Sequence, residues 1–333
     1  DDLDLPDDVV IANRTSERFG ALITAPAETL LAVAIKSEGR RLGVLVVADK
    51  ENRAGGIDEF NKSDGRILSL FANQAAIALE NARLHRDALE KERIEREIEL
   101  AASIQKTILP ATLPAVPGLL MAGGNQPTRR VGGDYFDVFA LPDGRTAFVV
   151  ADVSGKGVPA ALLVSTVHAC LHLLIDGLVS DLTGIISRIN RHLVGFSSTR
   201  KFVTLFLALY DPVSRDLTYV NAGHNPGIWL SGDRSELLHS SGVPIGMLPD
   251  VKHSQATIRL EPTDLLVLYS DGITEAADMQ DEEFGMDRLL ALVRDGHMDE
   301  PSALSGRIFD TVAEFTRGVA QYDDQTVLVA RAI

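Results

Sequence analysis

Five short clusters rich in aspartate and glycine constrain this chain most, because several of them lie where an apolar run begins or ends. They are GGDYFD (132–137), ADVSGKG (151–157), NAGHNP (221–226), YSDGITE (269–275) and YDDQT (322–326). Asp152 follows the run AFVVA, Asp271 follows LLVLYS, and Asp323 shortly precedes TVLVA. A short apolar run bounded by turn residues is typical of a buried strand. The chain must therefore fold so that several strands end on carboxylates.

Carboxylates at strand ends suit a divalent cation that prefers oxygen ligands, such as Mg²⁺ or Mn²⁺. Two glycines precede Asp134, so the backbone there can approach a ligand closely. After Asp152 the chain turns into a predicted helix, which leaves the carbonyl of Val153 available to a metal. Each cluster alone would fit a turn or a helix cap. Their joint occurrence favours a metal site.

Composition limits the function classes. With 333 residues the chain is long enough for two domains, and its net charge of −15 disfavours non-specific binding to nucleic acid or to anionic membranes. The single cysteine, Cys170, excludes an internal disulfide and a cysteine-based metal cluster. The longest apolar stretch, residues 157–175, contains polar residues and is predicted to be a buried helix, so we expect a cytoplasmic protein. Because the chain begins with Asp1 instead of Met, we also expect a fragment or a processed product.

The pattern of apolar residues predicts an α+β fold. A β-hairpin is predicted over residues 30–36 and 42–48, followed by one long helix over 65–109. Further strands are predicted at 146–151, 202–210, 217–222, 227–230, 253–259, 265–269 and 326–330, with turns at 211–212 and 231–233. Further helices are predicted at 159–178, 182–195, 286–295 and 301–316. Hairpin-linked strands with grouped helices indicate a layered α+β sandwich instead of a doubly wound parallel sheet.

The long helix carries apolar residues at heptad-like spacing, with Gln74 and Asn81 in two of the seam positions. The apolar seam positions are Ile67, Leu70, Ile77, Leu84 and Ala88, and after a charged stretch the seam resumes out of phase at Ile94, Ile98, Ala101, Gln105 and Ile108. A dimeric coiled coil is favoured, because nothing nearby in the sequence would cover this stripe. A solvated single helix that only spaces two domains is the alternative.

Taken together, the clusters resemble the SpoIIE/RsbU-like bacterial branch of the metal-dependent PPM (protein phosphatase 2C-like) serine/threonine phosphatases. The likeness runs from about residue 101 to residue 330 and includes IQKTILPATLP, VGGDYFDVF, ADVSGKGVPAAL, NAGHNP, LYSDGITEA and DDQTVLV in the family's order. It implies an antiparallel β-sandwich flanked by helices, the PPM phosphatase fold, with two Mn²⁺ or Mg²⁺ ions at one end.

The resemblance also implies roles for residues. Asp134, Asp152 and Asp271 are the expected catalytic residues, and these three, the Val153 carbonyl and Asp323 are the expected metal ligands. Asp324 stands where many relatives have asparagine, so which of Asp323 and Asp324 binds metal stays open.

Several other residues are candidates for contacts with substrate. The resemblance suggests Arg129 and Arg130 for the phosphate, and NAGHNP offers His224 and Asn225. For His224, a turn histidine that organises its loop is the favoured alternative. His168 and His172 lie four residues apart on a predicted helix, as a transition-metal pair would. No third nitrogen or sulfur ligand is evident for them, so packing is favoured.

Residues 1–85 resemble the C-terminal part of a GAF sensor domain, through RLGVLVVADK and LSLFANQAAIALENARL. We therefore expect a partial GAF-like α/β sensor over 1–85, a signalling helix over 65–109 that overlaps its end, and a phosphatase domain over 115–333. The sensor's ligand is unknown.

The expected function is phosphoprotein dephosphorylation, with a phosphorylated anti-sigma-factor antagonist as the substrate implied by the family and a homodimer as the assembly. Two alternatives stay open. One is a di-metal hydrolase of a small phosphate ester, and the other is an inactive phosphatase fold that serves as a binding module.

Overall fold

A computed structural model describes residues 8–13, 27–178, 181–196, 201–232 and 234–333. The chain divides into two compact units, residues 1–95 and 96–333. The acidic residues 1–7 and the predicted turn residue Asp233 lie outside the described part.

The first unit contains an antiparallel three-stranded sheet, ordered β1-β2-β3, and a separate two-stranded ribbon. The turn between β2 and β3 places both Glu38 and Gly39 at positive φ, which matches the twist of a tight hairpin. Leu68, Ala72 and Ala76 of the following helix are buried against Leu31 and other residues of the sheet. The elements are β1 (Val9–Asn13), β2 (Thr29–Ser37), β3 (Arg40–Ala48), β4 (Lys50–Glu51), β5 (Ile57–Asp58) and α1 (Lys62–Ile108).

The second unit contains two five-stranded sheets, in which all strand pairs are antiparallel. Their orders are β13-β10-β9-β8-β7 and β12-β11-β14-β15-β6. The strands are β6 (Leu119–Gln126), β7 (Asp134–Ala140), β8 (Thr146–Val153), β9 (Val203–Tyr210), β10 (Asp216–Ala222), β11 (Gly227–Ser231), β12 (Arg234–Leu238), β13 (Ala256–Arg259), β14 (Leu265–Tyr269) and β15 (Gln325–Ala332). The helices are α2 (Val158–Leu178), α3 (Leu182–Phe196), α4 (Asp271–Thr274), α5 (Gly285–Asp295) and α6 (Pro301–Phe315).

The sheets pack face to face, and helices cover their outer faces. Phe136, Phe148 and Phe206 of one sheet pack with Leu268 and Leu328 of the other to form the central core. Helices α2 and α3 cover the outer face of the first sheet, and α5 and α6 cover the second. The predicted antiparallel sandwich flanked by helices is therefore confirmed.

Strands β1, β4 and β5 of the first unit and β6, β7 and β12 of the second were not predicted. Strand β6 is difficult to recognise because it contains Gly123 and Gly124. A Cβ on Gly123 would lie 2.7 Å from the Phe136 ring, and one on Gly124 would lie 2.9 Å from the Phe309 ring. These glycines reflect close packing and not a loop.

Helix α2 is the most apolar helix of the described residues. Its segment Val158–Ile175 has a mean hydropathy of 1.9, so by length and composition alone it could cross a membrane. Val164, Val167 and Leu171 are buried against the first sheet, as in the core helix of a layered fold.

Candidate metal centre

Two aspartates face each other across the β7–β8 pair. Asp134 begins β7 and lies opposite Asp152 in the antiparallel register. Their neighbours Phe136 and Val150 pack between the sheets, so strand alternation directs both carboxylates to that same side. Asp134 is only 2% exposed and accepts a 2.6 Å hydrogen bond from Thr326 Oγ1.

The second sheet supplies further carboxylates from its loops. Asp271 follows β14 as the first residue of α4, and Asp323 lies just before β15, the neighbour of β14. The negative charges of Asp271 and Asp323 both act on Asp152. The fold thus brings together the four aspartates that the sequence singles out, from both sheets.

Asp323 and Asp324 have different surroundings. Asp324 is buried, and its two carboxylate oxygens accept hydrogen bonds from the backbone N–H of Thr128 at 2.7 Å and of Gly133 at 2.6 Å. The Asp323 side chain is 37% exposed, and its Oδ2 lies 3.0 Å from Lys156 Nζ. Asp324 is therefore occupied in holding the glycine loop, whereas Asp323 keeps a more open carboxylate.

Gly133 leaves space beside the carboxylates. A Cβ at this position would lie 2.8 Å from the carbonyl oxygen of Val153 and 3.4 Å from Asp152 Oδ1. The Val153 carbonyl therefore lies beside the Asp152 carboxylate, with a residue that lacks a side chain facing both. This arrangement fits a cation held by oxygen ligands.

Burial and crowding raise the pKa of three of these carboxyl groups. Burial is the main cause for each. The neighbouring Asp152 charge further raises the pKa of Asp134, and the Asp323 charge further raises that of Asp271. For Asp152, the charges of Asp271, Asp323 and Asp324 add to burial and raise the pKa to about 7. Such a group of buried acids is stabilised by a divalent cation.

The raised pKa of Asp152 predicts how the stability of the metal-free protein depends on pH. A pKa raised above its unfolded value favours folding at low pH, and that contribution is lost as pH rises from about 4 to about 7. Asp152→Asn cannot ionise, so we expect the metal-free variant to exceed the wild type in free energy of unfolding at pH 7.5 by roughly 1 to 3 kcal/mol.

Urea unfolding in EDTA at several pH values measures this difference. The difference in free energy of unfolding between the variant and the wild type should grow between pH 4 and pH 7 and level off above pH 7. Saturating Mg²⁺ should reverse its sign, because the ion stabilises the wild type by mass action. A difference that does not change with pH would contradict the prediction.

A cavity of about 450 Å³ lies beside the centre, and Arg129, Arg130, Gln105 and Asp134 are among the residues that line it. Both arginines are exposed. Arg130 lies 3.9 Å from Glu99. Gln105 is buried and forms two hydrogen bonds with the backbone of Gly132, at 2.8 and 3.0 Å. The end of α1 thus contacts the loop that carries Asp134.

His224 and Asn225 lie close to Tyr269, which precedes the Asp271 loop. His224 is 5% exposed, and its Nδ1 lies 2.8 Å from Thr204 Oγ1. Burial lowers the pKa of His224 to about 4, so the ring is neutral near pH 7. Asn225 hydrogen-bonds to Tyr269. This placement favours the loop-organising interpretation of His224.

Sequence reasoning missed two residues near the centre. Lys156 contacts Asp323 and lies 3.7 Å from the centroid of the Tyr322 ring. It stands inside ADVSGKG, so its position in that cluster could have indicated it. Gln105 was predicted only as a seam residue of a coiled coil, and nothing local in the sequence indicates its bonds to Gly132.

A second group that could hold a metal lies on the helix-facing side of β7. His168 and His172 of α2 meet Asp137, and one donor atom from each lies within 4.8 Å of the others. The third candidate donor, which the sequence did not reveal, is an oxygen from another element.

Comparison with known proteins identifies both parts of the chain. The family described as Stage II sporulation protein E (SpoIIE) matches residues 142–333, and the GAF domain family matches residues 3–79.

Two curated relatives come from Bacillus subtilis. Phosphoserine phosphatase RsbU is 28% identical over 245 residues, which cover 72% of this chain and 71% of RsbU. Phosphoserine phosphatase RsbP is 27% identical over 187 residues, which cover 54% of this chain and 46% of RsbP. Among solved structures, the SiaA-PP2C domain of Pseudomonas aeruginosa aligns with a TM-score of 0.65 at 23% identity, over 74% of this chain and all of that domain.

The chain belongs to the SpoIIE family: it carries a PPM-type phosphatase domain preceded by a GAF domain.

Proposed function

We propose that the chain is a Mg²⁺- or Mn²⁺-dependent protein serine/threonine phosphatase whose site uses two metal ions. The observation that carries the proposal is the convergence of Asp134, Asp152, Asp271 and Asp323 at the ends of paired strands. Loss of a ligand would suggest an inactive binding module, and the full aspartate set speaks against that alternative.

The residues present fit a pair of cations. Asp152 interacts with Asp134 on the neighbouring strand and with Asp271 and Asp323 from the other sheet, so it is suited to contact both ions. The Val153 carbonyl, beside Asp152, is the natural neutral ligand. Bound ions of this kind lower the pKa of a water molecule and neutralise charge on phosphoryl oxygens.

The protein's own residues position this chemistry. Asp324 and Gln105 hold the backbone of Gly132 and Gly133, which keeps Asp134 opposite Asp152. Lys156 balances part of the negative charge at Asp323. Arg129 and Arg130, at the cavity beside Asp134, are available to contact a substrate phosphate.

The proposed substrate is a phosphoserine or phosphothreonine on a folded protein, specifically a phosphorylated anti-sigma-factor antagonist in a cytoplasmic partner-switching pathway. RsbU and RsbP are named phosphoserine phosphatases, which supports this class. A centre that contacts mainly a phosphate and its ions needs surface contacts elsewhere to select its substrate.

Phosphate release from such an antagonist, compared with p-nitrophenyl phosphate, tests the substrate class. We expect kcat/KM for the phosphoprotein to exceed that for the small ester by at least a hundredfold, with activity lost in EDTA. Comparable values for the two substrates would instead favour a hydrolase of small phosphate esters.

Regulation through α1 is part of the proposal. Leu68, Ala72 and Ala76 are buried against the sheet of the first unit, whereas Ile67 and Leu84 are 53% and 59% exposed. Leu70 and Ile77, on the same face of the helix as Ile67 and Leu84, are also exposed. A second copy of this helix would cover them, which supports a homodimer.

Breaking this proposed pairing is expected to change activity while the aspartates stay intact. Leu84→Asp or Ile98→Asp should weaken association and change kcat by more than threefold, because the last turn of α1 carries Gln105, which bonds to Gly132. Light scattering and phosphatase assays measure the two effects, with Ala82→Asp, outside the seam, as the control. Monomeric variants that keep wild-type turnover would show that α1 is only a linker.

A further inference from the structure

The helix-facing side of β7 carries a compact cluster of nitrogen and oxygen donors that the phosphatase site does not use. Asp137 is three residues after Asp134, so strand alternation places the two carboxylates on opposite faces of the sheet. Tyr135, on the same face as Asp137, packs in the core beneath α2. On α2, His168 and His172 lie one turn apart and both face Asp137.

The donor geometry is close to that of a tetrahedral zinc site. His172 Nε2 lies 2.8 Å from Asp137 Oδ2, and His168 Nδ1 lies 3.8 Å from the same oxygen. Zn²⁺ bonds of 2.0 to 2.2 Å at tetrahedral angles separate neighbouring ligand atoms by about 3.3 Å. Side-chain rotations that move these donor atoms by a few tenths of an ångström to about an ångström would place all three at bonding distance from one ion.

Surrounding contacts hold Asp137 and His172 in place. The other oxygen of Asp137 accepts a 2.8 Å hydrogen bond from the backbone N–H of Val138. The Phe139 ring stacks on His172 with centroids 4.1 Å apart. Tyr135 Oη lies 3.0 Å from both Asp137 Oδ2 and His168 Nδ1; an ion on His168 Nδ1 would replace the contact to that nitrogen, whereas the hydroxyl could still donate to the carboxylate. Partners of this kind orient the ligands of metal sites.

Burial and charge also suit a cation. The Asp137 side chain is 8% exposed, whereas those of His168 and His172 are 29% and 37% exposed, so an ion can enter from the helix side. The two imidazole centroids are 4.3 Å apart. Imidazole nitrogens and a carboxylate oxygen are ligand types that Zn²⁺ takes in proteins.

We infer that Asp137, His168 and His172 form a metal-binding site that is separate from the phosphatase centre. The site binds a first-row transition cation, specifically Zn²⁺. Two nitrogens and one oxygen select Zn²⁺ over Mg²⁺, whereas the all-oxygen centre on the other face of β7 has the opposite preference. Three protein ligands leave one coordination position for water. The bound ion would link β7 to α2, the helix that follows the Asp152 loop.

The test is a Zn²⁺ titration of the chelator-treated full chain by calorimetry, with excess Mg²⁺ present to occupy the carboxylate centre. We expect one equivalent of Zn²⁺ to bind. His172→Gln and His168→Gln should each weaken that binding at least tenfold, and His239→Gln, at an exposed histidine, should leave it unchanged. Circular dichroism checks that each variant is folded.

Co²⁺ bound to the wild-type chain gives a second measurement that does not depend on variants folding. Strong visible absorption from tetrahedral Co²⁺, displaced by one equivalent of Zn²⁺, would support the site. Zn²⁺ affinity that is unchanged in the histidine variants, or weak octahedral Co²⁺ absorption alone, would overturn the inference and leave a hydrogen-bonded Tyr–Asp–His network. Neither measurement depends on phosphatase activity.

Discussion

Asp152→Asn is expected to lower kcat by at least a thousandfold, or about 4 kcal/mol of barrier. Asp152 lies opposite Asp134 and is acted on by the charges of Asp271 and Asp323, so it is the carboxylate that all the others surround. Losing its charge should loosen both proposed ions. Phosphate release from a phosphoprotein at saturating Mn²⁺ measures the effect.

Asp271→Asn should lower kcat at least a hundredfold, about 3 kcal/mol of barrier, because we propose Asp271 as a ligand of one of the two ions. The control is Asp310→Asn, which changes an exposed aspartate on α6 and should leave kcat within twofold. Full activity in excess EDTA, or in the folded Asp152→Asn protein, would falsify the proposed metal-dependent mechanism.

The neighbouring pair Asp323 and Asp324 is expected to give opposite results for activity and stability. Asp323→Asn should lower kcat about a hundredfold and weaken Mn²⁺ binding, since its exposed carboxylate is the proposed ligand. Asp324→Asn should keep kcat within tenfold, because the amide oxygen can still accept one hydrogen bond from the glycine loop. It should lower the free energy of unfolding by about 1 to 3 kcal/mol, since one buried backbone N–H loses its acceptor.

Kinetics as a function of Mn²⁺ concentration, together with urea unfolding, separate these two outcomes. Each variant is the matched control for the other, because the substitution is the same and the positions are adjacent. If Asp324→Asn instead abolishes Mn²⁺ dependence while Asp323→Asn keeps it, the ligand assignment is reversed.

The sequence predicted strands and helices best where their signals are local. Strand β14 lies at residues 265–269 as predicted, and α6 ends one residue before its predicted end. An uninterrupted apolar run defines β14, and apolar residues at helical spacing after Pro301 define α6, in both cases without help from distant residues. Strand β6 could not be predicted in this way, because its glycines are explained only by Phe136 and Phe309, which lie far away in the sequence.

For the candidate site, too, the sequence predicted what local signals encode and missed what distant contacts decide. The sequence indicated all five aspartates and the Val153 carbonyl, because each stands in a short cluster with its own turn residues. It could not distinguish Asp323 from Asp324, since their surroundings differ only through Thr128, Gly133 and Lys156.

The sequence by itself therefore determined the family and the layered fold, and it indicated the candidate residues of the phosphatase centre, because these depend on motif order and local patterns of polarity. Tertiary structure decided which residues meet: Gln105 with Gly132, Lys156 with Asp323, and Asp137 with His168 and His172. These contacts join separate elements and depend on strand register and on how α2 packs. No local signal in the chain encodes such distances.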